Sequence, residues 1–386
     1  MQKHAKKQLF RKITVGLALA GAFTFAATVG TVQPKIAKAE EWIASISDPA
    51  DFDYSFAIIG DTQYLNRLYP AKFPTLYDYI IDNAQSKNIA HVFGLGDITD
   101  DSGYTEWANA KKQFARLDGI VPYSLVRGNH DQSGDFDLHF GRNSSYAEQY
   151  FDKYFDGYAT TAHEFSAGNL DYLVITLDWG PTQGMFDWAS EIISDYPNHN
   201  VIVTTHSYLS ADGNLEATGS SNSPSHYGAH AGDMIWENFI SKHKNITMVF
   251  CGHVGEGTTK LRQTENDYGN VVSQLLVDPQ VVDFKQGGVG LIGMLYFSNE
   301  GKNVDFRYYS TINEKYYGEE NQYSFTVHTV PRRGTSTVKP SEPTDENKPA
   351  DADKKEGGCG SVIGAANFAL LPVAIGIVLY KKRKQD

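Results

Sequence analysis

The sequence predicts an α/β body built on sheets of mixed direction. Three observations carry that expectation. Short apolar runs end repeatedly in Gly-rich polar turns, as buried strands do. Stretches of helical spacing lie between them, and strand–helix alternation is the signature of α/β folds. Toward the end of the chain the pattern changes to extended segments suited to antiparallel pairing, so two mixed sheets are the simplest outcome. The 386 residues are 41% hydrophobic and 21% charged, which is ordinary globular composition and excludes a disordered polymer or a small disulfide scaffold.

Taken in order, residues 1–39 begin with basic side chains, continue through the apolar stretch Ile13–Val32 and close on Ala37-Lys38-Ala39. That reads as a signal peptide cut after Ala39. The body, residues 40–330, carries apolar runs at Phe56–Ile59, His91–Leu95, Val121–Val126, Val201–Val203 and Ile246–Phe250, each expected to be a strand. Helices are expected over Leu76–Ser86, Thr105–Leu117, Phe186–Ile193 and Asp233–His243, the last with Ile235, Phe239 and Ile240 on one side. The late extended segments are Val271–Val277, Leu291–Phe297, Val304–Tyr309 and Tyr323–Val327.

Residues 331–358 hold four prolines and no aromatic residue, too little apolar surface for a core, and read as a flexible linker. Residues 359–386 read as a membrane anchor or sorting signal. Within them Ser361–Tyr380 is uncharged and long enough, at about 1.5 Å per residue, to cross a bilayer as a transmembrane helix, and Lys381–Lys384 follow as a cytoplasmic basic stop. The arrangement resembles the C-terminal sorting signals of bacterial surface proteins, but no LPxTG motif is present. The expected location is therefore the outer face of a cell membrane. Cys251 and Cys359 are too far apart in sequence and context to make a disulfide framework. The net charge of −12 conceals basic ends: residues 40–380 alone carry −22. Such an acidic surface argues against nucleic acid as a partner except as substrate.

Chemistry concentrates just after the strands. Gly60-Asp61-Thr62-Gln63, Gly96-Asp97-Ile98-Thr99-Asp100, Gly128-Asn129-His130-Asp131, Thr205-His206 and Gly252-His253 each put a metal-competent side chain beyond an apolar run. Strand C-terminal ends converge on a crevice in α/β sheets, so these turns would share one site. A mixed oxygen and nitrogen donor set suits Mn, Fe or Zn better than Ca. The glycine before Asp61, Asp97, Asn129 and His253 is expected to let the backbone turn sharply. Singly, each turn is as well explained as a helix cap or a satisfied core residue; their order and joint presence carry the argument.

That order resembles the calcineurin-like metallophosphoesterase superfamily, whose motifs run GDxH, GDxxD, GNH[DE], a separate His, and GHxH. The resemblance implies a four-layer α/β/β/α sandwich and hydrolysis of phosphate mono- or diesters by metal-bound hydroxide. Position by position, it implies that Asp97 bridges two divalent ions, Asn129, His206 and His253 complete the second site, and Asp61 serves the first. It further implies that His130 contacts the scissile phosphate and leaving group, with Asp100 as its partner. Bridged cations clamp attacking and leaving oxygens, and an adjacent carboxylate would orient His130 for proton donation.

Two departures fall on the first site. Gln63 stands where the motif has His, and Gly255 replaces the second His of GHxH. An asymmetric centre is therefore expected: a firm second site of Asp97, Asn129, His206 and His253, and a weaker, all-oxygen first site of Asp61, Gln63 and Asp97. Glu256 is a minor candidate for the missing ligand. The alternative is a surface binding or structural protein on the same fold with an impaired centre. Residues 207–233, rich in Gly, Ser, Asn and His between two expected ligands, suit a wall for a small-molecule or polymer phosphate ester. Trp179 and Trp188 are as plausibly core as substrate contacts.

Overall fold

The computed structural model describes residues 42–332 apart from 142–143, 151–152, 156–157, 255–256 and 258. The expected signal peptide, the linker beyond Arg332 and the C-terminal anchor lie outside the described residues, as do Gly255 and Glu256. Among the described residues no helix is long and apolar enough to cross a membrane.

The chain enters through β1 (Trp42–Ile43) and β2 (Tyr54–Ile59), followed by α1 (Gln63–Leu68), α2 (Pro74–Asn83), β3 (Ile89–Gly94), α3 (Tyr104–Phe114) and β4 (Tyr123–Leu125). Helices α4 (Ser133–Phe140) and α5 (Ser145–Tyr150) lead to β5 (Lys153–Tyr154), β6 (Thr161–Ala167) and β7 (Leu170–Thr176). Next come α6 (Gln183–Asp195), β8 (Asn200–Thr204), α7 (Gly232–Asn238) and β9 (Ile246–Cys251). The remainder is β10 (Lys260–Glu265), β11 (Val271–Leu276), β12 (Leu291–Ser298), β13 (Asn303–Ser310), β14 (Lys315–Tyr317) and β15 (Tyr323–Thr326).

Two mixed sheets result. One runs β1-β14-β13-β12-β2-β3-β4, with β15 also paired to β13; the other runs β10-β11-β9-β8-β7-β6-β5. The period-2 alternation of the strands sorts their side chains between layers. Phe56 and Ile58 of β2 meet Tyr172, Val174, Ile202, Met248 and Phe250 between the two sheets, whereas Ala57 and Ile59 face the other way, onto Leu76, Ile80, Trp107 and Phe114. On the second sheet Leu173, Ile175, Val201 and Val203 pack under Phe186, Ala189, Ile193 and Ile235. Helices thus cover both outer faces, giving the α/β/β/α layering that the family resemblance implies.

The five expected strands and four expected helices are present with shifted ends. The last helix stops at Asn238 and resumes as a 3-10 turn at Ile240–Lys242, because Phe239 takes a non-helical backbone (φ −135°, ψ −64°). The β6–β7 hairpin was not foreseen; it turns on Gly168-Asn169, with Gly168 at φ +55°. One expectation needs correcting. Val271–Val277 reads as a late antiparallel segment, but β11 is antiparallel only to β10 and runs parallel to β9, with Leu276 beside Cys251. Its C-terminal end therefore lies at the same end of the sheet as the chemistry. The chain leaves the body at the other end: Val330 exchanges two hydrogen bonds with Asn200, the first residue of β8 (2.7 and 2.9 Å), and Arg332 pairs with Asp171 at the start of β7.

Candidate metal centre

The crevice is formed by the C-terminal ends of β2, β3 and β4 from one sheet and β8, β9 and β11 from the other, carrying Asp61, Asp97, Asn129, His206, His253 and Asp278 respectively. The loops are tied to one another: Thr62 N donates to the Asp97 carbonyl (3.1 Å) and Gly252 N to the His206 carbonyl (3.0 Å). Asp97 and His253 sit in the left-handed region, at φ +45° and +79°. Non-glycine residues held there cost on the order of 1 kcal/mol or more, which the surrounding packing must offset.

The glycines before these residues act mainly by size. Only Gly96 takes a left-handed turn, at φ +98°. A Cβ on Gly128 would lie 2.1 Å from Asp97 Oδ1, and one on Gly252 would lie 2.2 Å from Asp61 Oδ1. Backbone and carboxylate approach so closely at these two positions that no side chain fits, which corrects the sharp-turn explanation for them.

Four donor atoms converge on one point. His206 Nε2 lies 3.0 Å from Asn129 Oδ1, 3.2 Å from His253 Nδ1 and 3.3 Å from Asp97 Oδ1. Metal bonds of about 2.0–2.2 Å place neighbouring ligands on the order of 3.0–3.5 Å apart, so these separations fit a coordination sphere. Both imidazoles are prepared for it. His206 Nδ1–H donates to the Leu95 carbonyl (2.8 Å) and His253 Nε2–H donates to the Asn222 carbonyl (2.9 Å), which turns the other nitrogen of each ring toward the shared point.

The charges demand compensation. Burial alone would depress His206, but the Asp97 and Asp61 carboxylates beside it raise it to about 10. Burial would raise Asp97, yet His206 and the His130 amide hold it below the ordinary carboxylate range. Asp61 is pushed well up, first by burial and then by the charge of Asp278. His253 is depressed to about 4 by burial and by its neighbour His206. A proton on His206 partly balances the buried carboxylates, and a divalent cation would do so more completely. Gln63, 1% exposed, has its carboxamide oxygen buried without a hydrogen-bond partner, an orphan acceptor of the kind a cation satisfies. The residues present therefore fit the divalent ions that the donor chemistry implies.

His130 lies at the edge, its side chain 37% exposed, with its backbone N–H donating to Asp97 Oδ1 (3.0 Å). Its Nδ1–H donates to the main-chain carbonyl of Asp100 at 2.5 Å, while the Asp100 carboxylate is 3.5 Å away and ion-paired with Arg67. The expected partner is thus adjacent, but its peptide oxygen makes the closer contact.

Sequence reasoning missed several contributors. Asp131, wholly buried, accepts from the amides of Gly128, Ile98 and Thr99 and from the Thr99 hydroxyl, bracing the Asp97 and Asn129 loops together; its place in the quoted GNH[DE] motif was the available signal. Arg127 fastens Asp178, at the end of β7, by an ion pair. Asp278 had a signal too, as a carboxylate just after an apolar run. Residues 207–233 do wall the site: a cavity of about 370 Å³ is lined by Asn129, Trp179, Ser221, Asn222, Tyr227 and His253 among others. Trp179 meets Tyr227 edge to face at 5.5 Å, whereas Trp188 packs on the α6 side.

Residues 54–256 match the calcineurin-like phosphoesterase family. An uncharacterised protein of Bacillus subtilis, YvnB, is 28% identical over 305 residues, 74% of this chain. The chain spans only 22% of that relative's length. Among solved structures, a dimetal phosphatase from Danio rerio aligns with 72% of this chain and 99% of its own (15% identity, TM-score 0.47). A purple acid phosphatase from yellow lupin, Lupinus luteus, aligns with 71% of this chain and 53% of its own (14% identity, TM-score 0.45).

Proposed function

Because this chain belongs to the calcineurin-like phosphoesterase family, we propose that it is a metal-dependent hydrolase of phosphate mono- or diesters, exported and tethered to the outer cell surface. The observation that carries the catalytic reading is the convergence of Asp97, Asn129 and His253 within 3.0–3.3 Å of His206 Nε2, with both imidazoles oriented by backbone carbonyls. A binding surface has no evident use for such an arrangement.

Asp97, Asn129, His206 and His253 would hold one divalent ion, and Asp61, Gln63 and Asp97 a second, with Asp97 shared. Bound there, such ions would offset phosphoryl charge and make water acidic enough to serve as the nucleophile near neutral pH. His130 would do the acid work. With Nδ1–H committed to the Asp100 carbonyl, a protonated ring presents Nε2–H to the leaving oxygen from the rim of the crevice. Arg67 keeps the Asp100 carboxylate occupied, so the peptide carbonyl orients the ring. The cavity beside His253 would receive the leaving group, with the aromatic rings of Trp179 and Tyr227 lining it. The sequence of residues 1–39 and 359–386 supports export and tethering.

The test is hydrolysis of a generic phosphomonoester and a generic phosphodiester in the presence of Mn2+, with His130→Ala as control. Metal-dependent turnover on at least one substrate, reduced on the order of 10²-fold or more in the variant with its bound metal retained, is the expected result. Absence of metal-dependent turnover on both would favour a binding role.

A further inference from the structure

We propose that Asp278 is a ligand of the first cation site, supplying a donor in place of those lost where Gln63 and Gly255 stand for two histidines. The inference rests on the metal-centre reading above and deepens it.

The placement comes from the sheet. Because β11 runs parallel to β9 with Leu276 beside Cys251, and Val277 N donates to the Cys251 carbonyl (2.9 Å), the two strands end side by side. Asp278 therefore stands two residues beyond the end of its strand, as His253 does beyond β9. The turn that carries it is pressed against the first motif: a Cβ on Gly60 would lie 2.5 Å from both the Val277 carbonyl oxygen and Pro279 Cδ. Asp278 is thereby held next to Asp61, and it is 1% exposed.

The local bonding leaves the carboxylate able to coordinate. Gln280 donates from its backbone to Asp278 Oδ1 (2.8 Å) and from its side chain to Oδ2 (3.1 Å), and the same carboxamide reaches the His253 carbonyl (3.2 Å). Those bonds fix the orientation of the carboxylate. The second observation is Gln63. It is 1% exposed and its carboxamide oxygen is buried without a hydrogen-bond partner. Buried carboxylates on adjoining turns together with an orphan carbonyl oxygen call for a cation.

The resulting donor set, Asp61, Asp97, Asp278 and Gln63, is entirely oxygen. It would take a hard divalent ion such as Mn2+ or Mg2+ in preference to Zn2+, whereas the imidazole-bearing site would favour Zn2+ or Mn2+. Two residues of one loop would serve both ions, since Gln280 joins Asp278 to the His253 backbone.

The test is a Mn2+ titration of the full chain after chelation, counting bound ions by loss of the free-ion electron paramagnetic resonance signal. Two steps are expected for the unaltered protein, with Mg2+ competing for the weaker one. Asp278→Asn should keep the tighter step and weaken the other at least tenfold; retention of the tighter ion itself reports an intact fold. If Asp278→Asn loses both ions, Asp278→Glu decides, a tight step kept beside a weakened second step supporting the assignment. A second step within twofold of the unaltered protein in Asp278→Asn overturns the role of Asp278 alone. No Mn2+ or Zn2+ binding by the unaltered chain overturns the metal-centre reading and this assignment with it.

Discussion

On the side of the crevice built by β4, β8 and β9, the donors include two imidazoles whose orientation is set by main-chain carbonyls, Leu95 for His206 and Asn222 for His253. On the side built by β2 and β11, they are carboxylates and a carboxamide, with Asp61 pushed well above the ordinary carboxylate range by burial and by Asp278. The first side is organised by the protein itself. The second is internally repulsive, and a cation would offset that repulsion. Preorganisation and charge compensation would thus be divided between two halves of the proposed centre, with Asp97 as their proposed shared ligand.

The largest expected effect comes from breaking that joint. Asp97→Asn removes the carboxylate common to both halves; metal analysis after dialysis should find both ions depleted, and kcat/KM should fall on the order of 10³-fold or more. Loss of only one ion would show that the halves do not share a ligand. Next is Asp131→Asn, which puts an amide where three backbone N–H groups and a hydroxyl all donate. Unfolding in urea should show a loss of about 2 kcal/mol, and the tighter ion should weaken more than the weaker one, because Asp131 braces the loops of Asp97 and Asn129. Gln63→His would sharpen the contrast by placing an imidazole on the oxygen side. The ion on the oxygen side should then shift in preference from Mg2+ toward Zn2+ by about tenfold, read by competition.

The smallest effect concerns the floor beneath both halves. His91, buried between the sheets, stacks on His163 and Phe165, and burial together with His163 holds it well below its ordinary value. Below about pH 6.5 the unfolded chain takes up a proton that folded His91 refuses, so stability falls as pH drops through that value, by up to about 1.4 kcal/mol per pH unit. His91→Phe should flatten that acid dependence in urea midpoints measured between pH 7 and 5; an unchanged slope would assign it elsewhere.

Much of this was legible before any coordinates. Buried parallel strands are continuous apolar runs, so β2, β3, β8 and β9 announce themselves, and the residues that follow them are the ones the crevice collects. What escaped did so for physical reasons. β6 mixes His163, Glu164 and Ser166 into its alternation and lacks the apolar run that marks a central strand. Asp278 has an apolar run before it but no glycine, and whether its strand ends in the crevice depends on a parallel pairing with β9 that no local pattern specifies. Asp131 is adjacent to the expected ligands, yet its role is set by amides some thirty residues away. Gly128 and Gly252 are required by close approach across loops, which is invisible along the chain.

The hydrogen bonds of Val330 with Asn200 and the pairing of Arg332 with Asp171 fasten the chain where β7 and β8 begin. The crevice opens where the parallel strands finish, so entrance and exit occupy opposite poles of the body. The proposed tether would then begin on the side of the body away from the candidate metal centre. Solute would reach that centre from one direction and load on the tether would arrive from the other, borne by strand beginnings that hold no candidate ligand.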